Sequence, residues 1–132
     1  MPSLSFKTTK KTSFVNITQH IKEIVKNSGV SSGLCLIYVP HTTACVIINE
    51  GVDPTVVKDI SQAIEGLIPW SGLYEHPEGN SAAHIRSAII GNSRIVPLEN
   101  GELMLGSWEG IFLVDFDGPR ERKVIVKILK EV

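Results

Sequence analysis

Two unbroken apolar runs sit almost back to back in this chain, Gly33 to Val39, ended by Pro40, and Ala44 to Ile48, ended by Asn49. Runs of this length and continuity, bounded by breakers, read as central strands. His41-Thr42-Thr43 then falls at the junction between two buried strands, where a side chain is held rigidly and still reaches a pocket.

Around this pair the pattern alternates between helix and strand without a regular repeat. Leu4 to Phe6 and Phe14 to Ile17 predict short strands about the polar turn Thr8 to Lys11, a hairpin-like opening. Thr18 is expected to cap a first helix whose Ile21, Ile24 and Val25 share one face and which Asn27-Ser28-Gly29 stops. Asp53-Pro54 predicts an N-cap and first-turn proline for a second helix, with the stripe Val56, Val57, Ile60, Ala63, Ile64 and Leu67 ending near Pro69. Trp70 to Asn80 reads as a loop, and Asn80 or Ser81 as the cap of a short third helix through Ile90, with His84 near its start. From Arg94 on, short strands are expected over 94–98, 102–105, 110–116 and 123–129, with turns at Asn100-Gly101 and Asp117-Gly118-Pro119. The expected fold class is α+β, an antiparallel or mixed β-sheet sandwich with two or three helices. No linker, repeat or low-complexity segment divides the chain, so residues 1–132 form one compact domain of a size that supports a real core.

Charge narrows the partners. Thirteen basic and fourteen acidic residues give a formal net charge of -1, and apart from Lys7 to Lys11 and Arg120 to Lys123 the basic residues are dispersed. Nothing here makes a broad phosphate-backbone face, so nucleic acid is not an expected partner. No apolar run approaches the roughly 18 residues that span a bilayer, and the N-terminus has no charged start followed by a long apolar segment. A cytoplasmic protein without membrane attachment is expected. Cys35 and Cys45 lie in apolar stretches without paired-motif spacing, which predicts reduced core residues.

The densest chemistry lies between His41 and His84, where three of the four histidines punctuate small, acidic and amide residues. Imidazole is the commonest transition-metal ligand and titrates near neutrality. Three such nitrogens with an open fourth position suit catalytic zinc or a similar divalent ion, while Glu50, Glu78 or Asn80 orients a ligand or handles a proton. No recognised short zinc signature is present, and each histidine taken alone is usually just a hydrogen-bonded polar residue. His20 stands apart on the first helix as a surface residue, and Asp59 is either solvated or turned to the cleft. Glu78-Gly79-Asn80-Ser81 admits two readings, a helix cap or an anion cradle of successive amides. Asp115, Asp117, Arg120 and Arg122 form either a structural ion-pair network or, through the planar fork of Arg120, a phosphate grip. Trp108, after Gly106-Ser107, reads as a core or subunit-contact aromatic.

The order of motifs, Pro40-His41-Thr42-Thr43-Ala44, Asn49-Glu50, Asp53-Pro54, Asp59, His76, Glu78-Gly79-Asn80-Ser81, Ala83-His84, Gly91-Asn92-Ser93, Gly106-Ser107-Trp108 and Phe116-Asp117-Gly118-Pro119-Arg120, closely resembles the YjbQ-like family. Its members are described as secondary thiamine-phosphate synthases, and the resemblance runs from about Ser5 to Val132. Position 109 is glutamate where the family pattern leads one to expect glutamine. The resemblance implies a small α+β fold assembled as a homotrimer, with the three motif histidines near a subunit boundary. It implies a small phosphorylated substrate and a weak transferase activity joining a pyrimidine pyrophosphate to a thiazole phosphate, in which the leaving group's charge must be stabilised. Carried over, His41, His84, Glu50 and Asn80 are the candidate catalytic residues, and Asn49, Glu78, Ser81 and Arg120 the candidate substrate-binding residues. His41, His76 and His84 are the candidate metal ligands, with zinc or a similar ion favoured by imidazole and magnesium favoured by pyrophosphate. Metal-dependent hydrolysis of a small phosphorylated compound, and non-catalytic binding of a metal or small ligand, are the alternative functions.

Overall fold

The computed structural model describes residues 2–132. In chain order the elements are β1 (Ser3–Lys7), β2 (Ser13–Asn16), α1 (Thr18–Ser28), β3 (Gly33–Tyr38), β4 (Ala44–Glu50), α2 (Pro54–Leu67), α3 (Ser81–Ile90), β5 (Ser93–Glu99), β6 (Glu102–Leu103), β7 (Glu109–Asp115) and β8 (Glu121–Lys130). They build a five-stranded sheet in the order β1-β8-β3-β5-β6 and a three-stranded sheet in the order β2-β7-β4. Every pairing is antiparallel, so the chain is the expected α+β sandwich in its antiparallel form.

The layering follows from side-chain alternation. Cys35, Ile37, Val96, Leu98, Val124 and Val126 from the larger sheet meet Ala44, Val46, Ile111 and Leu113 from the smaller one, and Ile17, Ile21 and Val25 of α1 close the same core. The opposite face of the smaller sheet offers Cys45, Phe112, Val114 and Phe116 to Ala83 of α3 and to Val57 and Ile64 of α2. β7 is therefore buried on both faces from Gly110 to Asp115, and its apolar run is continuous for that reason. Both cysteines are free and buried, as expected.

Four expectations need correction. The opening is not a hairpin, because β1 pairs with β8 and β2 with β7 in the other sheet. Thr8 explains the divergence: its buried hydroxyl donates to Asp115 Oδ2 at 2.7 Å and its amide donates to the Arg120 carbonyl at 2.9 Å, so the link is pinned between the sheets. β4 lies at an edge rather than at the centre, whereas β3 is central as expected, with β8 and β5 on either side. Thr18 is the first residue of α1, not its cap; its hydroxyl donates to Asn16 Oδ1 at 2.6 Å and accepts the Ile111 amide at 2.8 Å, stitching the helix start to β7. β6 is two residues long rather than four.

The other local rules hold. Asp53 caps α2 by accepting the Thr55 amide at 3.0 Å. Asn100 and Gly101 both take positive φ, 54° and 76°, as a two-residue hairpin turn requires. The apolar stripe of α2 is only partly covered, with Leu67 80% exposed. No helix among the described residues is long and apolar enough to cross a membrane.

Gly118, in the turn between β7 and β8, marks a tight approach at the end of the sheets that carries the β7–β8 turn. A Cβ there would lie 2.3 Å from the Lys10 carbonyl oxygen and 2.6 Å from Thr8 Oγ1, so the turn and the Thr8 link press together with no room for a methyl group. Gly118→Ala is expected to destabilise the protein by about 1–3 kcal/mol through overpacking, read as a lowered midpoint in urea unfolding; an unchanged midpoint contradicts this packing.

Candidate functional site

At the end of the sandwich where β3 passes to β4, the start of α3, the loop before it and the β7–β8 turn converge. Between them lies an open cleft of about 660 Å³ lined by His41, His76, His84, Arg120, Arg122 and Asn80, with Thr42, Thr43, Glu78, Tyr38 and Asn92 completing the walls. Residues scattered over some eighty positions of sequence thus meet at one solvent-facing surface.

Its floor is a buried ion pair. Arg122 Nη2 donates to Asp115 Oδ1 at 2.7 Å, and both side chains are nearly inaccessible. Removing two charges from water is costly unless every remaining lone pair and proton is used. Asp115 meets that condition, since Oδ1 also accepts the Asp117 amide at 2.9 Å and Oδ2 accepts the Thr8 hydroxyl at 2.7 Å. Burial pushes the Asp115 carboxyl up, but the bonds from Arg122, Asp117 and Thr8 outweigh it and hold the group below its ordinary value. Arg122 Nη2 also donates to Thr43 Oγ1 at 2.6 Å, while its Nε, buried beside the cleft, has no partner among the described residues.

This base fixes His41. Its amide donates to the Val39 carbonyl at 2.9 Å, and its Nε2 accepts the Lys123 amide at 2.9 Å. An imidazole nitrogen that accepts carries no proton, so the neutral ring keeps its proton on Nδ1 as a donor. Burial, and next the positive charge of Arg122, lower the affinity of this ring for a second proton.

The opposite wall is built on α3. His76 and His84 stand edge to face with ring centroids 5.4 Å apart, and the exposed Glu78 carboxylate lies 3.9 Å from His76 Nε2. Asn80 is the N-cap residue of α3 but makes no side-chain cap; its Nδ2 donates instead to Asp117 Oδ2 at 2.8 Å. The same oxygen accepts Arg120 Nη2 at 3.0 Å, and Arg120 Nε donates to the Asp117 carbonyl at 2.8 Å, leaving a half-exposed guanidinium held at one edge. The uncapped start of α3 adds partial positive charge on the same side.

Six sequence-derived candidates, His41, His76, His84, Glu78, Asn80 and Arg120, therefore line one cleft. Asn49 and Glu50 do not reach it. They sit at the far end of β4, opposite Gly110 and Glu109, about 20 Å along the strand from Ala44 at roughly 3.3 Å per residue. Glu50 Oε2 there accepts the Val52 and Asp53 amides and serves the turn into α2. Ser81 opens α3 beside Asn80 without lining the cleft. Thr43 and the Lys123 amide were missed by sequence reasoning: a buried hydroxyl beside a strand carries no distinguishing signal, and a backbone amide carries none at all.

The donor set also bears on the expected metal. Among the described residues no three His, Cys, Asp or Glu side chains are placed to hold an ion together. His41 in particular has Nε2 committed to an amide and a proton on Nδ1, so binding a metal would cost it that contact. The cleft of the single chain fits an anion better than a three-nitrogen metal centre.

Two outcomes follow. Arg122→Met strands the Asp115 carboxylate and is expected to cost about 3–5 kcal/mol, measured by urea unfolding; a loss under 1 kcal/mol contradicts the role of the pair. Because the folded state disfavours protonated His41, the unfolded chain binds more protons below the ordinary imidazole value of 6.5. The stability His41 contributes is thus complete above that pH and is lost as pH falls below it. Thermal melts of the parent protein should fall more steeply between pH 6.5 and 5 than those of His41→Gln, whose amide oxygen accepts from Lys123 without titrating; parallel slopes contradict the assignment.

Comparison with known proteins places this geometry in a wider group. Residues 2–131 match the family described as UPF0047 protein YjbQ-like. The UPF0047 protein YugU of Bacillus subtilis is 43% identical over 130 residues, 98% of each chain, and a UPF0047 protein of Methanocaldococcus jannaschii is 46% identical over 93% of this chain and 89% of its own. A crystal structure of an uncharacterised YjbQ/UPF0047 protein from Clostridium acetobutylicum superposes with a TM-score of 0.96 at 46% identity, covering 98% of this chain and all of that one. A protein of unknown function from Sulfolobus solfataricus, described as YbjQ-like, gives 0.95 at 35% identity, covering 98% of this chain and 96% of its own. Family match, sequence identity and fold agree, and the chain belongs to the YjbQ-like UPF0047 family.

Proposed function

We propose that the protein is a transferase of the thiamine-phosphate synthase type, joining a pyrimidine pyrophosphate to a thiazole phosphate in the His41–His84 cleft. One observation carries this reading: three imidazoles and two guanidiniums line a single open cleft at the start of a helix. That donor set suits phosphate oxygens, through charge-assisted hydrogen bonds and the helix dipole.

In the reaction the thiazole nitrogen gives its lone pair to the pyrimidine methylene carbon. A C–N bond forms, the C–O bond to pyrophosphate breaks, and pyrophosphate leaves with the bonding pair while the ring becomes a thiazolium. The protein's contribution is to align the two molecules and to stabilise charge gathering on the leaving group. His41 donates from Nδ1, Arg120 grips with the edge not held by Asp117, His76 and His84 face the same oxygens, and Asn80 holds Asp117 in place. A divalent ion enters this reading only as magnesium carried on the oxygens of the pyrophosphate substrate.

We further propose a homotrimer. The outer face of the larger sheet supports it, with Leu34, Tyr38, Ile95 and Leu129 exposed on adjacent strands, an apolar stripe of a kind that marks subunit contacts. Sedimentation equilibrium should give three times the chain mass, and Ile95→Glu should shift it towards monomer; a monomeric parent protein removes the proposal.

Incubating the protein with both precursors and magnesium should yield thiamine phosphate, and His84→Ala and Arg120→Ala should each lower the rate by about 10²–10³-fold. Equal traces from parent and variants contradict the transferase. Inorganic phosphate released from a single substrate would assign hydrolysis instead, and binding without turnover a ligand-binding role.

A further inference from the structure

Behind the His41–His84 wall lies a second hollow of about 400 Å³, floored by Ser87, Ala88 and Gly91 at the end of α3. It shares His41, Thr42, His84 and Asn92 with the cleft, so the two compartments meet along one wall. Their chemistry differs sharply. Arg120, Arg122 and Glu78 line the first, whereas no Asp, Glu, Lys or Arg lines the second among the described residues.

Beneath its floor lies an unexplained polar group. A serine inside a helix ordinarily bonds the carbonyl four residues back, yet the Ser87 hydroxyl has no partner among the described residues, although the residue is only 5% exposed. A buried hydroxyl without a partner is costly, and a turn of the Ser87 side chain towards the hollow would offer it to a ligand nitrogen or oxygen. Ala88 and Gly91 contribute almost no side-chain bulk, which leaves space for a flat group next to two imidazoles.

We propose that the site is bipartite: phosphates occupy the cleft, and the uncharged hollow takes the heteroaromatic ring of a phosphorylated ligand that bridges the His41–His84 wall. The inference rests on the reading of the cleft as a phosphate site and adds where the ring goes. It fits the demand of any two-molecule condensation, because reacting atoms must come within about 3–3.5 Å and adjoining compartments with a common wall bring them there. His41 and His84 stand at that seam, and Ser87 is a ring-recognition residue.

Calorimetric titration tests this with three probes: inorganic pyrophosphate, an aminopyrimidine methyl pyrophosphate, and the corresponding aminopyrimidine alcohol without phosphate. The ring-bearing pyrophosphate is expected to bind at least about tenfold more tightly than pyrophosphate alone. Ala88→Leu, which fills the hollow from an exposed helix position, should bring that ratio close to one, and Ser87→Ala should lower it severalfold, with circular dichroism confirming that both variants are folded. A ratio that neither substitution moves overturns the proposal. If neither phosphate-bearing probe binds the unaltered protein, the phosphate reading of the cleft fails; binding of the ring alcohol that Ala88→Leu abolishes would still support the hollow, and no alcohol binding would overturn it as well.

Discussion

One buried charge pair organises the working end of this protein. Asp115 closes β7 and Arg122 opens onto β8, and between them they also hold Thr8 from the β1–β2 link and Thr43 from the β3–β4 junction. Three regions that are distant in sequence are thereby forced into one geometry, since any slip would leave a charge in a place water does not reach. Such a pair gives little net stability over an apolar replacement. It selects a single arrangement of the chain, and that arrangement brings the Lys123 amide to His41.

The two walls of the cleft differ in rigidity. Arg122 lies on β8 in a buried network with Asp115 and Thr43, and His41, two residues before Thr43, accepts the adjacent Lys123 amide. His76 and Glu78 hang on the long connection between α2 and α3, which has few anchors. Arg86 donates to the Ile68 carbonyl at 3.1 and 2.8 Å, Lys11 lies 3.9 Å over the Trp70 ring, and Tyr74 donates to the Pro69 carbonyl at 2.7 Å. Beyond these, Leu73 is fully exposed and Gly79 takes a positive φ. One preorganised wall facing one adaptable wall suits the proposed transfer, in which a site would admit two substrates and still hold the reacting groups in register.

Much of this was legible in the sequence, for identifiable reasons. The α2 start could be read because an aspartate followed by proline has a single strong local use, and the Asn100-Gly101 turn because both positions need positive φ. The His41 junction could be read because two apolar runs leave only a short polar stretch between them. Strand partnership could not: Leu4 to Phe6 looks the same whether it pairs with β2 or β8, and the choice is made by Thr8 reaching Asp115, a contact 107 residues away. Glu50 shows the opposite failure. It lies close to His41 in sequence and looked like chemistry, but a strand carries it to the far end of the sheet, where its carboxylate closes a turn. The ion-pair network at the β7–β8 turn was foreseen as one of two readings, and Arg120 serves it with one edge while the other remains available to the cleft.

The central claim is that the cleft is a phosphate site built from imidazole and guanidinium donors on a fixed floor. The most direct measurement is a crystal structure of the protein with pyrophosphate. The account predicts phosphate oxygens within hydrogen-bond reach of His41 Nδ1, Arg120 and at least one of His76 and His84, with the Lys123 amide still on His41 Nε2. A metal ion held by all three histidine nitrogens, or pyrophosphate bound away from this cleft, would contradict it.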